Sequence, residues 1–109
     1  MPPLREPTFL ILTVLAEQSC HGYGIVQEVS RLSAGRVKLL TGTLYTALDR
    51  LTAEGLVEHD HDEVVDGRNR RYYRLTSDGR TALAAEAGRM RSLAAVAETR
   101  LRAPRPRTA

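Results

Sequence analysis

The chain has 109 residues, with 16 basic and 13 acidic side chains, a net charge of +3 and a single cysteine. That length closes one modest core and leaves no room for a separate catalytic domain. The mild positive charge permits nucleic-acid binding without demanding it, and one thiol excludes an internal disulfide or a cysteine-based zinc site.

Thr8 to Gln18 is apolar at nearly every step and longer than most buried strands, so it reads as a helix, capped by Thr8 after Pro7. Its apolar run, Phe9 to Leu12, is too short for a signal core or a membrane span, and the expected compartment is a reducing cytoplasm. Cys20 and His21 precede Gly22-Tyr23-Gly24, which predicts a tight turn; the lone thiol reads as packing rather than as a nucleophile. Ile25, Val29 and Leu32 form the stripe of a second helix that ends near Ser33, with Gly35 as its stop.

A third helix is predicted from Thr41 to Glu54, closed by Gly55. Leu44, Ala47, Leu48 and Leu51 share its apolar face, while Gly42, Thr46, Asp49 and Ala53 lie opposite, with Thr43, Tyr45 and Arg50 at the margins. Leu56 to Val64 and Arg71 to Leu75 then read as two strands of a hairpin joined by residues 65–70, where Asp66-Gly67 is the turn signal. Thr76-Ser77-Asp78-Gly79 opens a long helix reaching about Arg102, and residues 103–109 form a disordered basic tail.

The order of three short helices, a hairpin and one long helix predicts a mainly α fold with a small β-hairpin: a winged helix-turn-helix over residues 1–76 and a dimerisation helix over 77–102. A helix that enters the major groove needs an apolar face to grip its domain and a small polar face to reach base edges, and the third helix has both. Thr43, Thr46 and Arg50 are the expected groove-facing residues, with Thr41 at the helix start, Tyr45 on a phosphate and Lys38 adding charge upstream. Tyr45 reads equally as a half-buried core aromatic. Asp49 either accepts a cytosine amino hydrogen or pairs with Arg50 or Arg36 in the free protein, and pairing is the favoured reading.

At the wing, Arg68, Asn69 and Arg70 are expected to touch phosphate or the minor groove, having no strand opposite them at a hairpin apex. Arg71 and Arg74 instead read as cross-strand partners of Glu58 or Asp60. His59 and His61, two apart on a strand, would share a face, yet no third ligand stands at motif spacing, so they read as a polar edge and no metal is expected. No nucleophile with a base, carboxylate pair or phosphate loop is present, and no catalytic residue or cofactor is expected.

Leu83, Ala87, Met90, Ala94, Ala97 and Leu101 repeat in heptads along the last helix. Such a stripe predicts a homodimer that presents two reading helices to the half-sites of a pseudo-palindromic double-stranded operator. The acidic first wing strand and Asp49 leave a different reading open, a winged-helix module that binds protein.

Several linked motifs carry a resemblance: Glu6-Pro7-Thr8-Phe9, His21-Gly22-Tyr23-Gly24, Gly42-Thr43-Leu44-Tyr45, Leu48-Asp49-Arg50-Leu51, Glu54-Gly55-Leu56-Val57, and Gly67-Arg68 leading to Arg71-Tyr72-Tyr73-Arg74-Leu75-Thr76. In this order they resemble the PadR family of bacterial transcriptional regulators over about residues 4 to 102, in its compact branch with one C-terminal helix. The resemblance implies a dimeric repressor whose last helix packs on its partner and whose operator affinity falls when a small molecule binds. Leu4, Phe9, Met90, Leu93 and Val96 would line a site for a small hydrophobic effector or, equally, pack as a dimer core with no pocket; the tryptophan that some members present there has no counterpart in this chain.

Overall fold

The computed structural model describes residues 3–105. Four helices and three short strands follow one another as α1 (Glu6–Glu17), β1 (Cys20–His21), α2 (Gly22–Leu32), α3 (Thr41–Ala53), β2 (Val57–Val65), β3 (Arg68–Leu75) and α4 (Ser77–Arg102). The mainly helical fold with a small hairpin matches expectation, with one strand added. The part of the predicted basic tail from Pro106 to Ala109 lies outside the described residues; Ala103 to Arg105 carry no regular structure.

Helix α1 starts two residues earlier than its composition suggests. Arg5 occupies the N-cap, without a side-chain cap bond, and Pro7 sits in the first turn, where its missing N–H costs nothing. Thr8 is therefore not the cap: it lies inside the helix, buried. Helix α2 likewise begins at Gly22 rather than after a turn, because both glycines are taken into its first turn. Ahead of it, Cys20 and His21 add a two-residue strand against Tyr73 and Tyr72, giving an antiparallel sheet ordered β1-β3-β2.

Helix α3 forms where its stripe predicts, with Leu44, Leu48 and Leu51 fully buried. They meet Ile11, Leu12 and Leu15 of α1, Ile25 and Val29 of α2, and Val57, Tyr73 and Leu75 of the sheet in one core. Gly55, with φ of +77°, ends α3 in the left-handed region that favours glycine.

The hairpin is tighter than predicted. Asp66 and Gly67 carry φ of +51° and +75°, the paired left-handed conformation of a two-residue turn whose twist matches the strands. The strands consequently extend to Val65 and from Arg68, so the expected six-residue connection does not exist. Arg68, Asn69 and Arg70 are strand residues facing Val65, Val64 and Glu63.

Helix α4 is capped by Thr76, whose hydroxyl oxygen accepts from the Gly79 N–H at 3.0 Å while its own proton goes to the Gly55 carbonyl at 2.6 Å. Gly79 lies directly beneath the Leu56 carbonyl, in a space that any β-carbon would invade. This contact joins the turn between α3 and β2 to the start of α4. Beyond Glu86, α4 leaves the body: residues 89–102 are exposed. At about 1.5 Å per residue the 26-residue helix spans about 39 Å.

Candidate nucleic-acid interface

Gly42, Thr43, Tyr45, Thr46, Asp49 and Arg50 are all exposed on the sides of α3 away from its leucine stripe, and Thr41 is exposed at the helix start. Leu40, at the N-cap, has no polar side chain, so no cap bond forms there. The first main-chain donor used within the helix is the Leu44 N–H, to the Leu40 carbonyl at 2.9 Å. The N–H groups of residues 41–43 are thus left facing outward with the positive end of the helix dipole, an arrangement suited to phosphate. Lys38 is exposed just upstream.

Tyr45 is partly covered, as the core-aromatic reading has it. Its ring end packs on Gly22 of α2, where a β-carbon would collide with the hydroxyl, yet the residue keeps 40% of its surface. Arg50 is held from two sides: its Nη2 donates to the Thr8 hydroxyl at 3.0 Å, and its Nη1 lies 3.6 Å from the Glu54 carboxylate. Asp49 departs from the favoured reading. Arg36 pairs with Glu6 and Arg50 turns toward Thr8 and Glu54, so among the described residues Asp49 has no ion-pair partner and stays exposed.

The wing divides its cations differently from expectation. Arg74 does pair with Glu58 at 2.7 Å and with Asp60 at 3.1 Å. Arg71 does not, because it lies across from Asp62, with its guanidinium over the Tyr73 ring at 5.8 Å from the centroid. Strand alternation puts Asn69, Arg71, Tyr73 and Leu75 on one face, the face that packs on the core beside α3. Burial raises the pKa of the Tyr73 hydroxyl; the Arg71 charge opposes that rise, and Tyr45 and Asp49 are near enough to add to it. Arg71 therefore continues the outer surface of α3 onto the wing, a position that reading it as an ion-pair partner missed. The alternation of β3 was the available signal, since it puts Arg71 on the side of Tyr73.

Arg68 and Arg70 lie on the opposite face with Tyr72 and Arg74. The absence of a facing strand, from which their role was inferred, does not hold: Arg70 is across from Glu63 and adjoins Tyr72, whereas Arg68 faces the apolar Val65 and is exposed. A bulge between His59 and His61 also separates the two histidines, which register with Tyr73 and Tyr72 and so fall on opposite faces. His61 stacks on Tyr72 at 4.4 Å between centroids, and hydrogen bonding to Asp60 raises its pKa. Among the described residues no group of three metal-ligating side chains assembles.

Of the five apolar residues predicted to line a pocket, Leu4, Phe9 and Met90 border one cavity of about 380 Å³, with Leu10, Glu6, Arg36, Glu86 and Arg89. Leu93 and Val96 do not; they stand farther along α4, 57% and 53% exposed. Sequence reasoning overlooked Glu86, a buried carboxylate on the wall of that cavity. It accepts the Leu4 N–H at 3.0 Å and Arg89 Nε at 2.7 Å, and these bonds, Arg89 first, lower its pKa despite burial. Along the heptad stripe, Leu83 and Ala87 are half-buried against their own domain, and the exposed seam starts at Met90.

Residues 11–85 match the model of the transcriptional regulator PadR-like family. The transcriptional regulator Rv3488 of Mycobacterium tuberculosis is 42% identical over 84 residues, 77% of this chain and 75% of that protein. This chain belongs to the PadR-like family of transcriptional regulators. A PadR family transcription regulator from Clostridium difficile R20291 has the same fold, with a TM-score of 0.69 and 27% identity over 89% of this chain and 99% of that one. Bacillus subtilis PadR, solved in complex with operator DNA, matches with a TM-score of 0.65 and 20% identity, over 96% of this chain and 52% of its own. The PadR-like chain is thus a transcriptional regulator with a winged-helix fold rather than an enzyme. Among its described residues no helix is long and apolar enough to cross a membrane.

Proposed function

We propose that this PadR-like chain is a cytoplasmic repressor that binds a pseudo-palindromic operator as a homodimer, each copy comprising a DNA-binding unit over residues 1–76 and a dimerisation helix over 77–102. The observation that carries the reading is the outer face of α3, where exposed Thr43, Thr46 and Arg50 stand beside three main-chain donors with no partner in the helix. Thr41, Tyr45 and Lys38 hold the flanking phosphates; Arg68, Asn69 and Arg70, joined by Arg71, hold the backbone beside the groove. The complex of Bacillus subtilis PadR with operator DNA supports this mode.

Met90, Ala94, Ala97 and Leu101 form the dimer seam, and Leu83 and Ala87 continue it at the edge of the body. Leu101 is 84% exposed in the single chain, and a row of such residues on one helix is satisfied by a second helix with the same row. A small effector with an apolar body occupies the cavity of Leu4, Phe9 and Met90 and weakens operator binding by shifting α4. In the dimer, Leu93 and Val96 extend that cavity.

Binding to the DNA upstream of its own coding region, measured by gel shift, tests the reading. Affinity should fall steeply with salt, as phosphate contacts require. Thr46→Ala and Arg50→Ala should lower preference for the operator over unrelated DNA by about fivefold or more each. Full selectivity in both variants would remove α3 as the reading element.

A further inference from the structure

Thr8 is a buried hydroxyl on the first turn of α1, and its Oγ1 accepts a hydrogen bond from Nη2 of Arg50. The side chain of Arg50 is otherwise half in solvent, and its second contact, to Glu54, is long at 3.6 Å. Thr8 is held firmly. The α1 start is hydrogen-bonded from Phe9 N–H to the Arg5 carbonyl at 2.9 Å, and Leu4 N–H is held by Glu86 of α4. One end of an exposed, flexible arginine is thereby fixed to a point that belongs to the core.

We infer that Thr8 is a positioning residue for operator reading: it sets the direction in which the Arg50 guanidinium leaves α3, and so sharpens base discrimination without touching DNA. The inference rests on the reading of Arg50 as a groove-facing residue. A guanidinium has five N–H donors in a rigid fork. The bond to Thr8 uses one of them and leaves others for a base edge. A bidentate contact depends on the plane of that fork, and an arginine already oriented loses less rotamer freedom on binding. The carboxylate of Glu54 supplies attraction from one side; the short directional bond to Thr8 fixes the tilt.

Selection of bound sequences from a pool of randomised duplexes, followed by affinity measurement on the recovered duplex and on a scrambled one, tests this with four proteins. Thr8→Val keeps the shape and removes the acceptor, Thr8→Ser restores a hydroxyl, Arg50→Ala removes the reader, and the fourth combines Thr8→Val with Arg50→Ala. The expected result is a preference reduced by about fivefold in Thr8→Val, with scrambled-duplex affinity unchanged and wild-type preference recovered in Thr8→Ser. In the Arg50→Ala background, Thr8→Val should have no further effect, because the two residues act as one unit.

If Thr8→Val does not fold, Thr8→Ala takes its place. An equal loss with and without Arg50, or wild-type preference in Thr8→Val when Arg50→Ala has lost it, overturns the inference. Retention of full preference by Arg50→Ala overturns the underlying assignment of Arg50 itself.

Discussion

The body of this PadR-like regulator and the outer half of α4 obey opposite rules. In the body, Ile11, Leu12, Ile25, Val29, Leu44, Leu48 and Leu51 have no exposed surface at all. In α4, every residue from Arg89 to Arg102 is exposed, Leu93, Val96 and Leu101 among them. A stripe that finds its complement within the chain makes a core, and one that outruns the domain makes an interface. The same heptad stripe contains both cases, since Leu83 is half-buried against its own domain and Leu101 is not.

Substitutions in the two regions should therefore separate stability from assembly. Leu48→Ala should lower unfolding free energy by about 2–5 kcal/mol, read from urea denaturation, because it opens a cavity under α3. The double variant Ala94→Glu and Leu101→Glu, both on the seam, should instead leave the helical circular dichroism in place. It should convert the proposed dimer to monomer in sedimentation and weaken operator binding at least about tenfold, or about 1.4 kcal/mol. A dimer that survives both charges would place the interface elsewhere.

The body was legible from sequence where a strong period met an unambiguous stop, as in α3 with Leu44, Leu48 and Leu51 ahead of Gly55. It was least legible where polar residues form a strand. Arg68, Asn69 and Arg70 carry no apolar alternation, so they read as a loop, although a two-residue turn at Asp66 and Gly67 already closes the hairpin. The bulge at Asp60 and the two-residue β1 leave no period to detect. The partners of Thr8 and Glu86 lie 42 and 82 positions away in the chain, and no local pattern announces a contact of that range. On the interface, the exposed face of α3 was readable because exposure follows from the helix period. The side-chain surroundings of Arg71, Arg50 and Asp49 depend on tertiary placement and were not.

The junction between the two regions can be probed at Gly79. Its α-carbon lies against the Leu56 carbonyl, with a Leu75 methyl 2.7 Å from where a β-carbon would stand. Since the main obstacle is backbone, Gly79→Ala has to displace the start of α4 from the turn between α3 and β2. Overpacking of this kind should cost about 1–3 kcal/mol, measurable by denaturation. In the proposed dimer it should also change the half-site spacing that a selected operator prefers, because α4 would set the two copies of α3 at a new separation. Unchanged spacing would mean that the junction bends elsewhere.

The smallest effect expected is at Glu86, the last buried residue of α4 before the helix leaves the body. The Arg89 guanidinium and the Leu4 N–H both favour the ionised carboxylate and hold its pKa below the ordinary glutamate value of about 4.3. A carboxylate whose folded pKa is depressed stabilises the fold fully above its unfolded pKa and loses that contribution as pH falls through the folded value. Glu6, Asp60, Asp62 and Glu63 are depressed as well, so the wild-type melting curve alone would mix their effects. The difference in Tm between wild type and Glu86→Gln isolates the one group, since glutamine can still accept from Leu4 but carries no charge for Arg89. That difference should be constant between pH 7 and about pH 5 and shrink below about pH 4. A difference that stays constant into acid would show that neither Arg89 nor the Leu4 N–H favours the ionised carboxylate, and that the junction is held without the charge of Glu86.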